Sequence, residues 1–189
     1  MRAVRPALSL LIAMTVILGL VYPLVITGLA RVAFPRQAEG SLVYRDGTLI
    51  GSSLIGQSFS DPGHFWGRPS ATAPQPYNGL ASAGSNLGPL NPVLSDQVKK
   101  YSAALHDAEP GNGAPIPVDL VTASASGLDP EISLAAARYQ AGRVARARGI
   151  ALDDVQKLVD AHARGRLLGL LGERRVNVLE LNLALDSRP

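Results

Sequence analysis

The sequence holds no cysteine, which removes disulfides, thiolate metal ligands and cysteine nucleophiles together while leaving the compartment open. Histidine is nearly as scarce: His64, His106 and His162 are scattered without the spacing of a zinc helix or a facial triad, so no metal site is expected. Charge is sparse as well, with 17% charged residues and 18 basic against 15 acidic side chains in 189 residues. A net charge of +3 and a pI near 9.5 are too slight a basic excess for a dedicated nucleic-acid binder. A hydrophobic content of 47% and a mean hydropathy of +0.15 are too apolar for a disordered chain.

Catalytic signatures are missing too. Gly84-Ser85-Asn86-Leu87-Gly88 has glycines but not the Lys-Ser/Thr of a phosphate-binding loop, and there is no GxSxG elbow and no SxxK pair. The Asp-Lys-Thr-Gly surroundings of an aspartyl-phosphate and the Thr-Val-Gly-Tyr-Gly ladder of a potassium filter are likewise missing. The chain is therefore expected neither to hydrolyse ATP nor to conduct ions by itself.

What is present begins with a long apolar run. Residues 6–30 carry no charged side chain, and about 25 residues at ~1.5 Å each give roughly 37 Å, more than a hydrocarbon core of ~30 Å. Arg2 and Arg5 precede the run and Arg31 and Arg36 follow it, where snorkelling keeps their guanidinium groups at the interfaces. The run is too long for a signal-peptide core and Arg31 interrupts its exit, so it reads as a retained anchor. The flanking arginines nearly cancel, and the amino group tips the orientation toward a cytoplasmic tail at 1–5. On that reading a linker at 31–40 leads to a periplasmic domain at 41–189. Thr15, Gly19, Pro23 and Thr27 recur at steps of four, one slowly drifting helical face. Pro23 cannot donate to the carbonyl of Gly19 and should kink the helix, and Thr15 with Gly19 forms a small-xxx-small pair suited to a partner helix. The ordinary small-residue content of transmembrane helices is the alternative.

The rest reads as one α+β domain of ordinary size, with a small sheet and about four helices. Asp46-Gly47 between Leu42-Val43-Tyr44 and Thr48-Leu49-Ile50 predicts a tight hairpin, and Leu54–Phe59 a further strand. The Pro/Gly-rich stretch 61–91 carries Phe65, Trp66 and Tyr77, so it is expected to be ordered, packing on the body or on a partner. Arg68 reads either as a stacking or ion-pair anchor beside Trp66 or as a solvated surface cation. Asn91-Pro92 opens one helix, Asp129-Pro130 a second that ends at Gly149, and Leu152 a third stopped near Gly165. Asn177 with Glu180 resembles a capping box, although Leu179, Leu181, Leu183 and Leu185 also alternate as in a strand. The polar stretch containing Ser124, Ser126 and Gly127 leads into the second helix, whose N–H groups are placed to receive an anion. Asp119, Asp129 and Glu131 oppose a phosphate there, so an ordinary capped loop is the plainer reading, and Gln140 reads as a surface residue able to add a hydrogen bond.

Several strings together resemble one family. They are Tyr22-Pro23-Leu24-Val25-Ile26-Thr27-Gly28, Gly51-Ser52-Ser53-Leu54-Ile55-Gly56-Gln57, Phe65-Trp66-Gly67-Arg68-Pro69-Ser70 and Gly84-Ser85-Asn86-Leu87-Gly88-Pro89. Asp119-Leu120-Val121-Thr122-Ala123-Ser124, Gly127-Leu128-Asp129-Pro130, Arg143-Val144-Ala145 and Val176-Asn177-Val178-Leu179-Glu180-Leu181-Asn182-Leu183 extend the likeness over nearly the whole chain. The set resembles the C subunit of the Kdp-type potassium-transporting ATPase; Ala151 stands where a helix-capping side chain would be expected. The resemblance implies a single-span inner-membrane subunit whose partners, an ATP-hydrolysing subunit and a potassium-channel-like subunit, carry the chemistry and the ion path. It further implies a catalytic chaperone that raises ATP affinity through a transient ternary complex. On that reading Ser124, Ser126, Gly127 and Gln140 are nucleotide candidates, and no other cofactor is implied. Thr15, Gly19, Pro23, Thr27, Phe65, Trp66 and Arg68 are the candidates for docking. A periplasmic body separates those nucleotide candidates from cytoplasmic ATP, a conflict that favours action through the pump's conformation. The competing class is a free-standing membrane-anchored binding module or an unrecognised hydrolase.

Overall fold

The computed structural model describes residues 3–187, so Arg2 of the expected flank lies outside the described residues. The chain forms two compact units, one ending at Ser52 and the other beginning at Ser53.

In the first unit, helix α1 runs from Val4 to Ala33 and is long and apolar enough to cross a membrane. Its residues are exposed almost throughout. Its middle, Ile17–Val21, is a π turn, and the N–H of Tyr22 reaches back five residues to the carbonyl of Ile17. Pro23 explains this: it lacks an N–H and its ring crowds the carbonyl of Gly19, so the preceding turn widens. The widening acts on the stripe. Steps of four overshoot an α-helical turn by about 40° each; a turn closed by five-residue bonds takes up part of that overshoot, so Thr15, Gly19, Pro23 and Thr27 stay closer to one line. A short helix, α2 (Pro35–Ala38), then leads to a hairpin of β1 (Leu42–Arg45) and β2 (Thr48–Ser52). Its turn has positive φ at both Asp46 (51°) and Gly47 (77°), the conformation that matches the strand twist. The register slips by one residue between Val43 and Tyr44, a β-bulge.

In the second unit, the strand expected over Leu54–Phe59 is absent. That backbone is drawn elsewhere: the Gly56 N–H bonds to the Leu128 carbonyl, and Gly56 lies against the Tyr77 ring. Helix α3 (Pro92–Ala108) starts where its sequence places it, with Asn91 Oδ1 accepting from the Val93 N–H. The second predicted helix begins later than Pro130. Glu131–Ser133 instead forms strand β3, and helix α4 runs Leu134–Arg148 from an N-cap at Ser133, whose Oγ accepts from the Ala136 N–H. Pairing with a distant strand decides this, since buried Ile132 sits opposite Val176. Gly149 closes α4 with φ 66°, and α5 follows at Leu152–His162. The residue before α5, Ala151, caps nothing with its side chain, and Asp153 and Asp154 in the first turn offset the loss at the positive helix end.

Strands β4 (Ala163–Arg164) and β5 (Arg175–Asn177) complete an antiparallel sheet of order β3-β5-β4. Helix α6 (Val178–Asp186) follows directly, with Asn177 Oδ1 accepting from the Glu180 N–H. The capping reading of this segment therefore prevails over alternation. Phe65, Ile132, Val144, Val155, Val159, Val176, Leu181 and Leu185 fill the core between the sheet, α4, α5 and α6.

Candidate functional site

The feature that organises the body is the loop from Asp61 to Tyr77 and the way two buried carboxamides hold it. Asn182 on α6 accepts from the Phe65 N–H through Oδ1 (2.8 Å) and donates to the Phe65 carbonyl through Nδ2 (3.0 Å). Gln140 on α4 does the same for the next residue, accepting from the Trp66 N–H (2.9 Å) and donating to the Trp66 carbonyl (3.1 Å). Each amide thus gives one residue both bonds that a neighbouring strand would supply. Gln140 is 1% exposed, not the surface residue its sequence position suggested.

Arginines from α4 reinforce the clamp. Arg143, 3% exposed, donates to Gln140 Oε1 (2.7 Å) and to the Pro62 carbonyl (2.5 Å), and its guanidinium lies 4.3 Å over the Trp66 ring. Burial lowers its pKa to about 10 against the pull of Glu109 and Asp61, so it remains charged at neutral pH. Arg148 donates to the Gly63 carbonyl and to Asp186, which also pairs with His64 Nε2 at 3.0 Å. Burial pushes the Asp186 carboxyl upward, but its bonds from Arg148 and His64 outweigh that and hold it below the usual range. Arg146 reaches from α4 to buried Glu109 at the end of α3.

Beyond the clamp the loop turns around Tyr77, whose hydroxyl donates to the Arg68 carbonyl (2.5 Å). Burial, with Asp129 and Tyr101 adding to it, raises that phenol to about 12. A Cβ on Gly67 would stand 2.7 Å from the Tyr77 oxygen, so glycine makes room for this tyrosine. Ser70 Oγ donates to the Gly127 carbonyl (2.7 Å) and accepts from the Tyr77 N–H (2.9 Å), which ties the loop to the turn at Ser124–Gly127.

Arg68 stands where three hollows meet. One of about 190 Å³ lies under Trp66, Tyr77 and Tyr101; one of about 580 Å³ is walled by Asp119, Asp129, Glu131 and Arg175. The third, about 570 Å³, is bordered by Ser124 and Ser126. Arg68 pairs with Asp129 (3.1 Å), and its buried Nε has no hydrogen-bond partner among the described residues. The charged wall is otherwise engaged: Glu131 holds Arg175 and Arg164, and Asp119 accepts from the Ser133 N–H (2.7 Å). Among the described residues no group of three or more His, Asp or Glu is placed to hold a metal ion.

The sequence-derived candidates divide accordingly. Ser124, buried, and Ser126, exposed, share a hollow with Arg68, whereas Gln140 belongs to the clamp and does not line that hollow. The donors expected at a helix starting after Asp129 are taken: Glu131 N–H by Asp129, Ser133 N–H by Asp119 and Leu134 N–H by the Arg174 carbonyl. Phe65 is fully buried in the core, while Trp66 and Arg68 keep partial exposure. Thr15, Gly19, Pro23 and Thr27 are exposed along α1. Sequence reasoning missed Asn182, whose signal was a polar side chain between Leu181 and Leu183, and Arg143 entered it only within a string of the family likeness.

A small α+β body whose loop is held by buried side chains, in a chain that begins with an apolar helix long enough to cross a membrane, defines the class: a compact domain behind a single candidate span. The sequence matches the family described as K+-transporting ATPase, c chain, over residues 4–187. Among relatives, the potassium-transporting ATPase KdpC subunits of Variovorax paradoxus and Methylibium petroleiphilum are each 64% identical over 97% of this chain, spanning 95% and 96% of their own lengths. That of Polaromonas naphthalenivorans is also 64% identical, over 97% of this chain and 93% of its own. The chain belongs to the KdpC family.

Proposed function

We propose that this chain is the accessory, non-catalytic subunit of an ATP-driven, high-affinity potassium import complex in a bacterial inner membrane. The observation that carries this reading is the match of 97% of the chain, at 64% identity, to relatives named as potassium-transporting ATPase KdpC subunits. Helix α1 anchors it once, with the N-terminal tail cytoplasmic and the body periplasmic. Its partners are the ATP-hydrolysing subunit and the potassium-channel-like subunit of the same complex.

The stripe Thr15/Gly19/Pro23/Thr27 docks on a partner span. A Cβ on Gly19 meets nothing within 4 Å in this chain, so the room that glycine leaves serves no contact of its own. Outside the membrane the partly exposed Trp66 and Arg68 form the docking region, and Phe65 seats the loop that presents them. The subunit raises the ATP affinity of its partner by binding one conformer of the pump more tightly than another, since unequal affinity is the only way a bound chain shifts such an equilibrium. With the body periplasmic, Ser124, Ser126, Gly127 and Gln140 take no part in contacting cytoplasmic ATP.

Protease added to intact spheroplasts tests the topology: the body should be digested, and its protection would overturn the arrangement. Gly19→Leu tests the docking face. The variant should fold normally yet drop out of detergent pull-downs of the complex, and unchanged recovery would remove the stripe from the interface.

A further inference from the structure

Between β4 and β5 the chain makes a turn, Arg166-Leu167-Leu168-Gly169-Leu170-Leu171, that neither the core nor the loop clamp uses. Its four leucines are 64%, 85%, 81% and 61% exposed, a contiguous apolar tip on a body whose other large side chains mostly find cover. Leu168 is held at φ 54°, a conformation leucine adopts only under constraint from its surroundings. Part of the tip's backbone is satisfied within the turn: Leu167 and Leu171 exchange both bonds (2.9 and 3.0 Å), Gly169 N–H donates to Arg166 and Leu170 N–H to Leu167. These bonds lower the cost of bringing the turn to the wet boundary of a bilayer, where the remaining amide groups stay hydrated.

Its flanks carry four arginines, Arg164, Arg166, Arg174 and Arg175, against one acid, Glu173. Arg164 and Arg175 are paired with Glu131 and Glu180, whereas Arg166 and Arg174, one on each side of the leucines, make no ion pair among the described residues. We propose that this turn is a lipid-surface probe: Leu167, Leu168, Leu170 and Leu171 dip into the acyl boundary while Arg166 and Arg174 bind anionic headgroups. Leucine depth supplies the attraction and the arginines select charge, the same division that operates in interfacial segments. A bilayer surface fits this tip because four exposed leucines beside two arginines that make no ion pair among the described residues match an apolar boundary beneath anionic headgroups. The proposal rests on the reading of α1 as a membrane span, which supplies the bilayer.

The missing cysteines make the test clean. The full chain carrying Leu170→Cys, labelled with an environment-sensitive fluorophore, is reconstituted through its own helix into phosphatidylcholine vesicles with or without phosphatidylglycerol, using brominated acyl chains as quencher. Quenching should be at least about twofold stronger than for the same label at Asp153→Cys, an exposed site on α5, and stronger with phosphatidylglycerol. Arg166→Glu with Arg174→Glu should abolish the dependence on phosphatidylglycerol. Equal quenching at both sites, or none at Leu170→Cys, overturns the proposal. So does a label shielded from water only after the two pump subunits are added, which would make the tip a protein contact. Alkaline carbonate treatment of the same vesicles reads the span separately: an extracted chain refutes the anchor, while an unquenched label in a resistant chain refutes the turn alone.

Discussion

Asn182→Leu is the sharpest perturbation of the clamp, because the two side chains have nearly the same size and differ in what they offer Phe65. The substitution strands the N–H and the carbonyl of a residue with no exposed surface, each now bonded only to Asn182 at 2.8 and 3.0 Å. An orphaned buried backbone group costs about 1–3 kcal/mol, so two cost ~2–6, and the extra apolar burial of leucine returns ~1. The net expectation is about 3 kcal/mol of lost stability. Trp66, the only tryptophan in the chain, adjoins the broken bonds and reports their loss by fluorescence during urea titration in mild detergent. With a urea slope of ~1–3 kcal/mol per molar, the midpoint should fall by roughly 1–3 M. Gln140→Leu should cost at least as much, since it also leaves the buried Arg143 without its carboxamide acceptor. The two losses should combine to less than their sum, because both amides hold adjacent residues of one segment. A midpoint that barely moves for Asn182→Leu, or simple additivity of the pair, would refute the clamp as the source of loop order.

Asp186 sets the acid limit of the same assembly. Its carboxyl is held below the ordinary value, so the stability it lends is full above the unfolded carboxylate range near ~4 and is lost as pH falls through the lowered folded value; Asp186→Asn should flatten the acid side of a plot of denaturation midpoint against pH. Gly56→Ala should destabilise by about 1–3 kcal/mol, because its Cβ would overlap the Tyr77 ring and stand 2.7 Å from the Asp129 carbonyl. Gly113→Ala, whose Cβ meets nothing within 4 Å, should stay within ~0.5 kcal/mol in the same urea titration. Ser126→Ala removes only an exposed acceptor for the Leu128 N–H, so on the proposed topology the ATP KM of the assembled complex should not move; a severalfold rise would place nucleotide on this chain.

What could be read from the sequence was local in origin. The Asn91 and Asn177 caps, the stop at Gly149 and the Asp46-Gly47 turn each depend on residues within a few positions, and each forms as written. The start of α4 was misread because Asp129-Pro130 is a good local start signal, while β5, which captures Glu131–Ser133 as a strand, lies far along the chain. The expectation of a strand at Leu54–Phe59 failed for the same kind of reason, since its backbone donor is spent on Leu128 rather than on a ladder. Gln140 and Arg143 look like solvent-facing helix positions until a loop from another part of the chain covers them. The aromatic pair itself was legible; that Phe65 packs inward and Trp66 lies under an arginine was not.

On the proposed role, the clamp matters because of how a helper chain does its work. A subunit that favours one pump conformer can contribute no more than the difference between its affinities for the two states. A docking loop soft enough to follow its partner through both states binds them alike, and the difference vanishes. Here the segment carrying Trp66 and Arg68 is tied at three backbone positions by side chains from two helices: Arg148 at Gly63, Asn182 at Phe65, Gln140 at Trp66. Tyr77 fixes the carbonyl of Arg68 from the other side. Such a segment resists remodelling, so on that role a partner that shifts beneath it loses contacts instead of dragging it along. On the proposed role, loosening the clamp should therefore weaken the subunit's effect on ATP affinity even where every residue at the docking surface is left in place.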